Sequence, residues 1–189
     1  MALNIKKKYR VLIELAKRAR KNAYAPYSRY PVGAAVVTES GRFFTGANVE
    51  NASYGLSLCA ERVAIFNAVS RGEKALQAVA VAARSARPCG ACRQVMTEFS
   101  TKDTDLLIVN LDPNKRETIT RARVYSMLPG PFDPLASGLL PANPHNLIKR
   151  GRTKSKRSRP KRRRSAKAAH HRSSGSRRSP RRRGKKRSS

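Results

Sequence analysis

Three cysteines and one glutamate in this 189-residue chain have the types and spacing of a hydrolytic metal site. All three cysteines fall in two short runs, Cys59-Ala60-Glu61 and Pro88-Cys89-Gly90-Ala91-Cys92-Arg93-Gln94. Three soft protein ligands leave the fourth position of a tetrahedral zinc ion open for water, and a nearby carboxylate can move the protons. Pro88 favours a helix start, and residues three apart share a helix face, so the Cys89 and Cys92 sulfurs should converge at a helix N-terminus. The helix dipole there favours the thiolate that a metal needs. Cys59 is expected at the start of a preceding helix, with Glu61 too close in sequence to ligate comfortably and better placed beside the water. Arg62 and Arg93 lie within one turn of the sulfurs and could drain the excess negative charge of three thiolates. A lone Cys-x-x-Cys is a weak signal, and free cysteine is often a small buried hydrophobe. A closed structural zinc site needs a fourth ligand, however, and the only histidine before the C-terminal basic region is His145, beyond the apparent core.

Several elements must hold these residues in place. Apolar residues at helical spacing predict an amphipathic helix over residues 3–19, ending before Ala25-Pro26. Residues 32–38 and 42–49 read as strands joined at Glu39-Ser40-Gly41, a hairpin. A helix follows from near Cys59 to about Arg71, with Gly72 as its cap. Residues 76–83 form a short apolar run, read as a buried strand; a short helix over 90–99 and a second buried strand over 106–111 follow. Residues 118–128 mix extended and helical signals. This α-β-β-α-β-α-β order, plus a terminal element, implies an α/β fold with a mixed sheet and helices on both faces.

Charge divides the chain. Residues 149–189 hold 21 of the 42 lysines and arginines and none of the 11 acidic residues, so they carry +21 of the formal +31. The expected organisation is a domain over 1–135, a linker over 136–148 and a disordered tail over 149–189. Such a tail would bind DNA or RNA non-specifically and with steep salt dependence, or serve only as a solvated extension. After Phe132 the chain has no aromatic residue, which argues against base stacking. No apolar run approaches membrane-spanning length, and Met1 to Tyr9 leads into an amphipathic pattern instead of an apolar signal core. An odd cysteine count and free thiols suit a reducing, cytoplasmic setting, with nucleoid or nuclear association through the tail as an alternative.

Cys-Ala-Glu followed by Pro-Cys-x-x-Cys resembles the zinc deaminase signature in its all-cysteine form. The surrounding runs are similar to the homotetrameric cytidine deaminases: Ala23-Tyr24-Ala25-Pro26-Tyr27-Ser28, Pro31-Val32-Gly33-Ala34-Ala35, Gly46 to Tyr54, and Leu128-Pro129-Gly130-Pro131-Phe132. The resemblance covers most of residues 5–135. It implies a three-layer α-β-α deaminase fold with a mixed five-stranded sheet, and zinc-dependent hydrolysis of cytidine and deoxycytidine to uridine and deoxyuridine with loss of ammonia. It assigns one Zn²⁺ per subunit to Cys59, Cys89 and Cys92, and the general acid/base to Glu61. It gives substrate binding to Asn48, Val49 and Glu50, with the Ala60 backbone and Tyr30 against the nucleoside and Phe132 closing over the base from a neighbouring subunit of a tetramer. Without the family, Asn48 and Glu50 read equally as a solvated strand end. The link Arg84-Ser85-Ala86-Arg87 is shorter than is usual in the family, which keeps a blasticidin-type nucleoside in view as substrate. The tail keeps two further readings open: a polynucleotide cytosine deaminase, and a nucleic-acid-binding protein with an inactive deaminase fold.

Overall fold

Alternation along three central strands builds two cores, one on each face of a single sheet. The computed structural model describes residues 7–134 and 136–139, so the tail and most of the expected linker lie outside the described residues. Its elements are α1 (Lys7–Ala19), β1 (Gly33–Thr38), β2 (Phe43–Ala47), α2 (Ala60–Val69), β3 (Leu76–Ala83), α3 (Gly90–Glu98), β4 (Ser100–Asn110) and β5 (Thr118–Arg123). The strand order is β2-β1-β3-β4-β5, with β3 and β4 parallel and the other neighbours antiparallel. This is the expected three-layer, mixed five-stranded arrangement.

On one face, Ala35 and Val37, Ala78, Ala80 and Ala82, and Leu107 and Val109 pack under Leu12, Ile13 and Ala16 of α1. On the other, Ala34 and Val36, Val79 and Val81, and Leu106 and Ile108 pack under Ala64, Ile65 and Ala68 of α2 and Met96 of α3. Successive residues of a strand point to opposite faces, so one apolar run serves both layers.

Close approach depends on two glycines. A Cβ on Gly33 would lie 2.1 Å from the Ala16 carbonyl oxygen of α1. One on Gly46 would lie 2.4 Å from the Ala64 nitrogen and 2.6 Å from the Ala60 oxygen, so Gly46 lets α2 rest directly on β2. That contact fixes the depth of the helix that begins next to Cys59.

Two boundaries differ from the sequence reading. β4 begins at Ser100 instead of near 106, because a register irregularity between Leu76 and Ala78 draws the polar run into the ladder. Thr104 then donates its hydroxyl to the Leu76 carbonyl at 2.9 Å. Over 118–128 the mixed signals resolve into edge strand β5 and a 3₁₀ turn, Val124–Met127. Among the described residues, no helix is long and apolar enough to cross a membrane.

Candidate active site

Two helix starts meet near the carboxyl end of β3, the middle strand. Cys59 is the N-cap residue of α2 and Cys89 that of α3, and Cys92 lies one turn into α3. The Cys59 and Cys89 sulfurs are 3.9 Å apart, those of Cys89 and Cys92 3.5 Å, and all three ligand atoms lie within 4.8 Å of one another. Thiolates bound at about 2.3 Å around a tetrahedral ion sit about 3.8 Å apart. The cluster therefore fits a zinc ion held by three sulfurs.

The surroundings favour thiolate. The neighbouring Cys92 thiol, joined by the Arg62 guanidinium, stabilises the Cys59 anion against burial and lowers Cys59 to about 5. Sharing its proton with Cys59 pushes Cys92 up. Arg62 reaches the Cys59 sulfur with Nη2 at 3.8 Å and also donates to the Ser57 carbonyl at 3.1 Å. Arg93 is placed otherwise: Nε donates to the Pro88 carbonyl at 2.9 Å and Nη1 to the Met127 carbonyl at 3.0 Å. It ties the start of α3 to the turn after β5 and touches no sulfur. Its charge near the cysteines was legible, but its partners depend on where residue 127 returns in the fold.

Glu61 is 3% exposed. Burial, against the pull of its own backbone N–H, pushes the carboxyl up to about 7. A carboxyl poised there can both take and give a proton near neutrality.

Glu61, Cys59 and Cys89 line a cavity of about 410 Å³ together with Tyr30, Asn48 and Glu50. Apolar floor comes from Val81, Ala83 and Ala86. This volume lies in the usual range for small-molecule sites. Asn48 uses both ends of its amide on backbone: Oδ1 accepts from Val32 N–H at 2.8 Å, and Nδ2 donates to the Tyr30 carbonyl at 3.0 Å. Glu50 accepts from the backbone N–H groups of Tyr27 and Ser28 at 2.9 and 3.1 Å, and from the Ser28 hydroxyl. The Ser28 hydroxyl is the main cause of a Glu50 pKa below the usual carboxylate range. Both residues thus order the 27–32 loop that walls the cavity.

Three other expected binding residues, Val49, Ala60 and Phe132, are not among the lining residues, although Val49 and Ala60 each lie between two that are. Ala60 is fully buried in the first turn of α2, and Val49 is bridged to Tyr24 and Leu58. Phe132 is 59% exposed, its carbonyl accepting from Gln94 Nε2 at 2.9 Å. Three polar cavity residues, Ser28, Ser57 and Arg87, carried no site assignment from the sequence. Arg87 was visible only as half of the charge in the short Arg84–Arg87 link.

Comparison with known proteins bears on this geometry. The model of the cytidine and deoxycytidylate deaminase zinc-binding region matches residues 6–107. A cytidine deaminase from Halalkalibacterium halodurans is 50% identical over 125 residues, 65% of this chain and 92% of that protein. A probable cytidine deaminase from Dictyostelium discoideum is 41% identical over 124 residues, 64% of this chain and 80% of that protein. The crystal structure of cytidine deaminase from Burkholderia pseudomallei superposes with a TM-score of 0.61 at 43% identity, covering 66% of this chain and 98% of that one. That from Mycobacterium tuberculosis gives 0.57 at 37%, covering 68% and 99%.

Proposed function

We propose that this chain, which belongs to the cytidine and deoxycytidylate deaminase family, hydrolyses cytidine and deoxycytidine to uridine and deoxyuridine with release of ammonia. The observation that carries the reading is a buried Glu61 beside three converging sulfurs at the end of a nucleoside-sized cavity.

Cys59, Cys89 and Cys92 would hold zinc, which when bound makes water at its open position acidic enough to react at neutral pH. Glu61 takes one proton from the water that adds to C4 of the cytosine ring and delivers it to N3. It then carries the remaining hydroxyl proton to the exocyclic amine. The C4–N bond breaks, its electron pair leaves with ammonia, and the C4 carbonyl forms. Arg62 holds the Cys59 sulfur as an anion throughout. The 27–32 loop, ordered by Asn48 and Glu50, encloses the sugar, and Tyr30 walls one side.

The assembly is proposed to be a homotetramer. Tyr54 and Leu56, 74% and 71% exposed, lie close in sequence to the cavity residue Ser57, and Phe132 is 59% exposed without lining the cavity. Large apolar groups left in water beside a site are what a second subunit would cover. Sedimentation should give four chains per particle, and a monomer with full turnover would exclude shared sites. Residues 149–189 are proposed to hold nucleic acid electrostatically; truncation after Ile148 should abolish salt-sensitive DNA retention and leave cytidine turnover intact. The setting proposed is cytoplasmic, where thiols stay reduced.

The deciding assay measures ammonia release from cytidine, deoxycytidine, blasticidin S and a cytosine-containing single strand. Turnover of the free nucleosides is expected. Release from the strand or from blasticidin S, with none from cytidine, would overturn the substrate.

A further inference from the structure

The short Arg84–Arg87 link is held more firmly than a surface connection needs. Tyr30 donates its hydroxyl to the Arg84 carbonyl and lies 3.2 Å from that of Ser85. Ser85 itself is in the left-handed region, with φ of 59°, a conformation that persists only where its surroundings impose it. Arg87, two residues on, lines the cavity that contains Glu61. It also lines a second cavity of about 440 Å³.

This second cavity is built at the carboxyl ends of β3 and β4, the parallel pair, where open α/β sheets characteristically bind ligands. Its opposite wall is the β4–β5 connection, which brings Lys115 and Arg116 to face Arg87. The one carboxylate in the wall, Asp112, accepts from the Asn114 N–H at 3.0 Å and lies 3.9 Å from Lys115. Neither Arg87 nor Arg116 forms an ion pair among the described residues. Asn110 adds a different signal. Its Nδ2 donates to the Thr118 hydroxyl at 3.4 Å, while its Oδ1 is buried with no partner. A buried carbonyl without a donor is costly, and a ligand O–H would satisfy it.

We propose that this cavity binds a phosphate group as a site separate from the substrate cavity. Guanidinium forks match phosphate oxygens in pairs, so Arg87 and Arg116 would clasp the dianion with Lys115 as a third charge. A protonated phosphate oxygen, or a sugar hydroxyl of a nucleotide, would donate to Asn110 Oδ1. Arg87 belongs to both cavities, so an anion drawn to one changes the charge facing the other, and binding in the two is coupled in both directions. The phosphate could be the free anion or the 5′-phosphate of a nucleotide. Binding can be read without turnover, so its failure is distinct from failure of the deaminase reading.

The test titrates the full chain with inorganic phosphate and, separately, with uridine 5′-monophosphate, which has no amine to lose. Calorimetry and hydrogen–deuterium exchange report the binding. Saturation in the low millimolar range or tighter is expected, with slowed exchange over residues 110–118. Arg116→Ala should weaken the affinity by about tenfold and leave cytidine kcat unchanged; Arg116→Gln serves if the first variant misfolds. Equal affinity for the two ligands identifies the free anion as sufficient, and tighter nucleotide binding identifies the ester. Binding equally strong in Arg116→Ala would belong to the basic tail or to an adventitious ion only, and would overturn the proposal. So would unchanged exchange over 110–118 at saturating ligand.

Discussion

Glu61 and Asp105 are carboxylates buried to the same depth, 3% and 2% exposed, on opposite faces of one sheet. Burial pushes both upward. On the α1 face, Asp105 accepts the Tyr9 hydroxyl at 2.5 Å and takes Arg121 in a two-point clasp at 2.9 and 2.8 Å, with Arg123 at 3.0 Å. These partners win, and the carboxyl falls below the ordinary aspartate range. On the α2 face Glu61 faces sulfurs and apolar walls, its neighbouring Arg62 being spent on Cys59 and Ser57, and it rises to about 7. Equal burial with opposite compensation yields a structural pin in one place and a proton carrier in the other. Uncompensated burial is tolerated where it serves chemistry.

Glu61→Gln should give the largest effect. It keeps the shape but removes the proton carrier, so kcat for cytidine should fall by about 10²–10⁴-fold. Zinc content, measured by elemental analysis, should stay at one ion per chain. The melting temperature should hold or rise, because an uncompensated buried carboxyl has been removed. A marked loss of stability with retained turnover would erase the contrast.

Asp105→Asn should behave in the reverse way. It leaves Arg121 and Arg123 without their anion; both are more than a third exposed, so water recovers part of the loss. A cost of about 1.5–3 kcal/mol is expected in urea denaturation, with kcat/KM for cytidine within about twofold of the parent, since additive, independent sites should not share losses. Collapse of activity alongside stability would mean that the two faces are coupled through the sheet.

The two carboxylates were not equally legible. Glu61 was identified from the sequence because chemistry sits in short spacings: Cys59, Glu61, Cys89 and Cys92 occupy helix starts that their own neighbours specify. The same locality made β1, β3, α2 and α3 readable to within about two residues. Asp105 lies just before the apolar run over 106–111, and nothing local in the sequence marks it. Its partners come from 96 residues upstream and 16 to 18 residues downstream, and register across β4 and β5 decides whether they meet. Arg93 failed to show its partners for that reason too. Asn48 and Glu50 were readable as a motif, yet their bonds to the 27–32 loop depend on how that loop folds back.

Stability against pH separates the contributions within the pin. Asp105 titrates below its ordinary value near 3.9, so its contribution is full above about pH 4 and is lost as pH falls through the lower folded value. Tyr9 moves the other way. Burial first, then the hydrogen bond and charge of Asp105, raise the phenol to about 12. Its contribution is full below about pH 10, the unfolded value, and disappears as pH climbs to about 12. Urea midpoints across pH should therefore fall at both extremes. Asp105→Asn should flatten the acid limb and narrow the alkaline window without closing it, since burial of the phenol persists.

Tyr9→Phe should give the smallest change and the sharpest test of the pin. Only the hydroxyl is lost; the ring stays under α1, and Asp105 keeps both arginines. A cost of about 1 kcal/mol is expected at neutral pH, with the alkaline loss between about 10 and 12 removed and the acid limb retained. Combining Tyr9→Phe with Asp105→Asn should cost less than the sum of the single changes, by about 0.5–1.5 kcal/mol, because the hydroxyl has no anion left to serve. Strict additivity would show that the Tyr9 hydroxyl contributes nothing through Asp105, and that the arginines alone hold its charge.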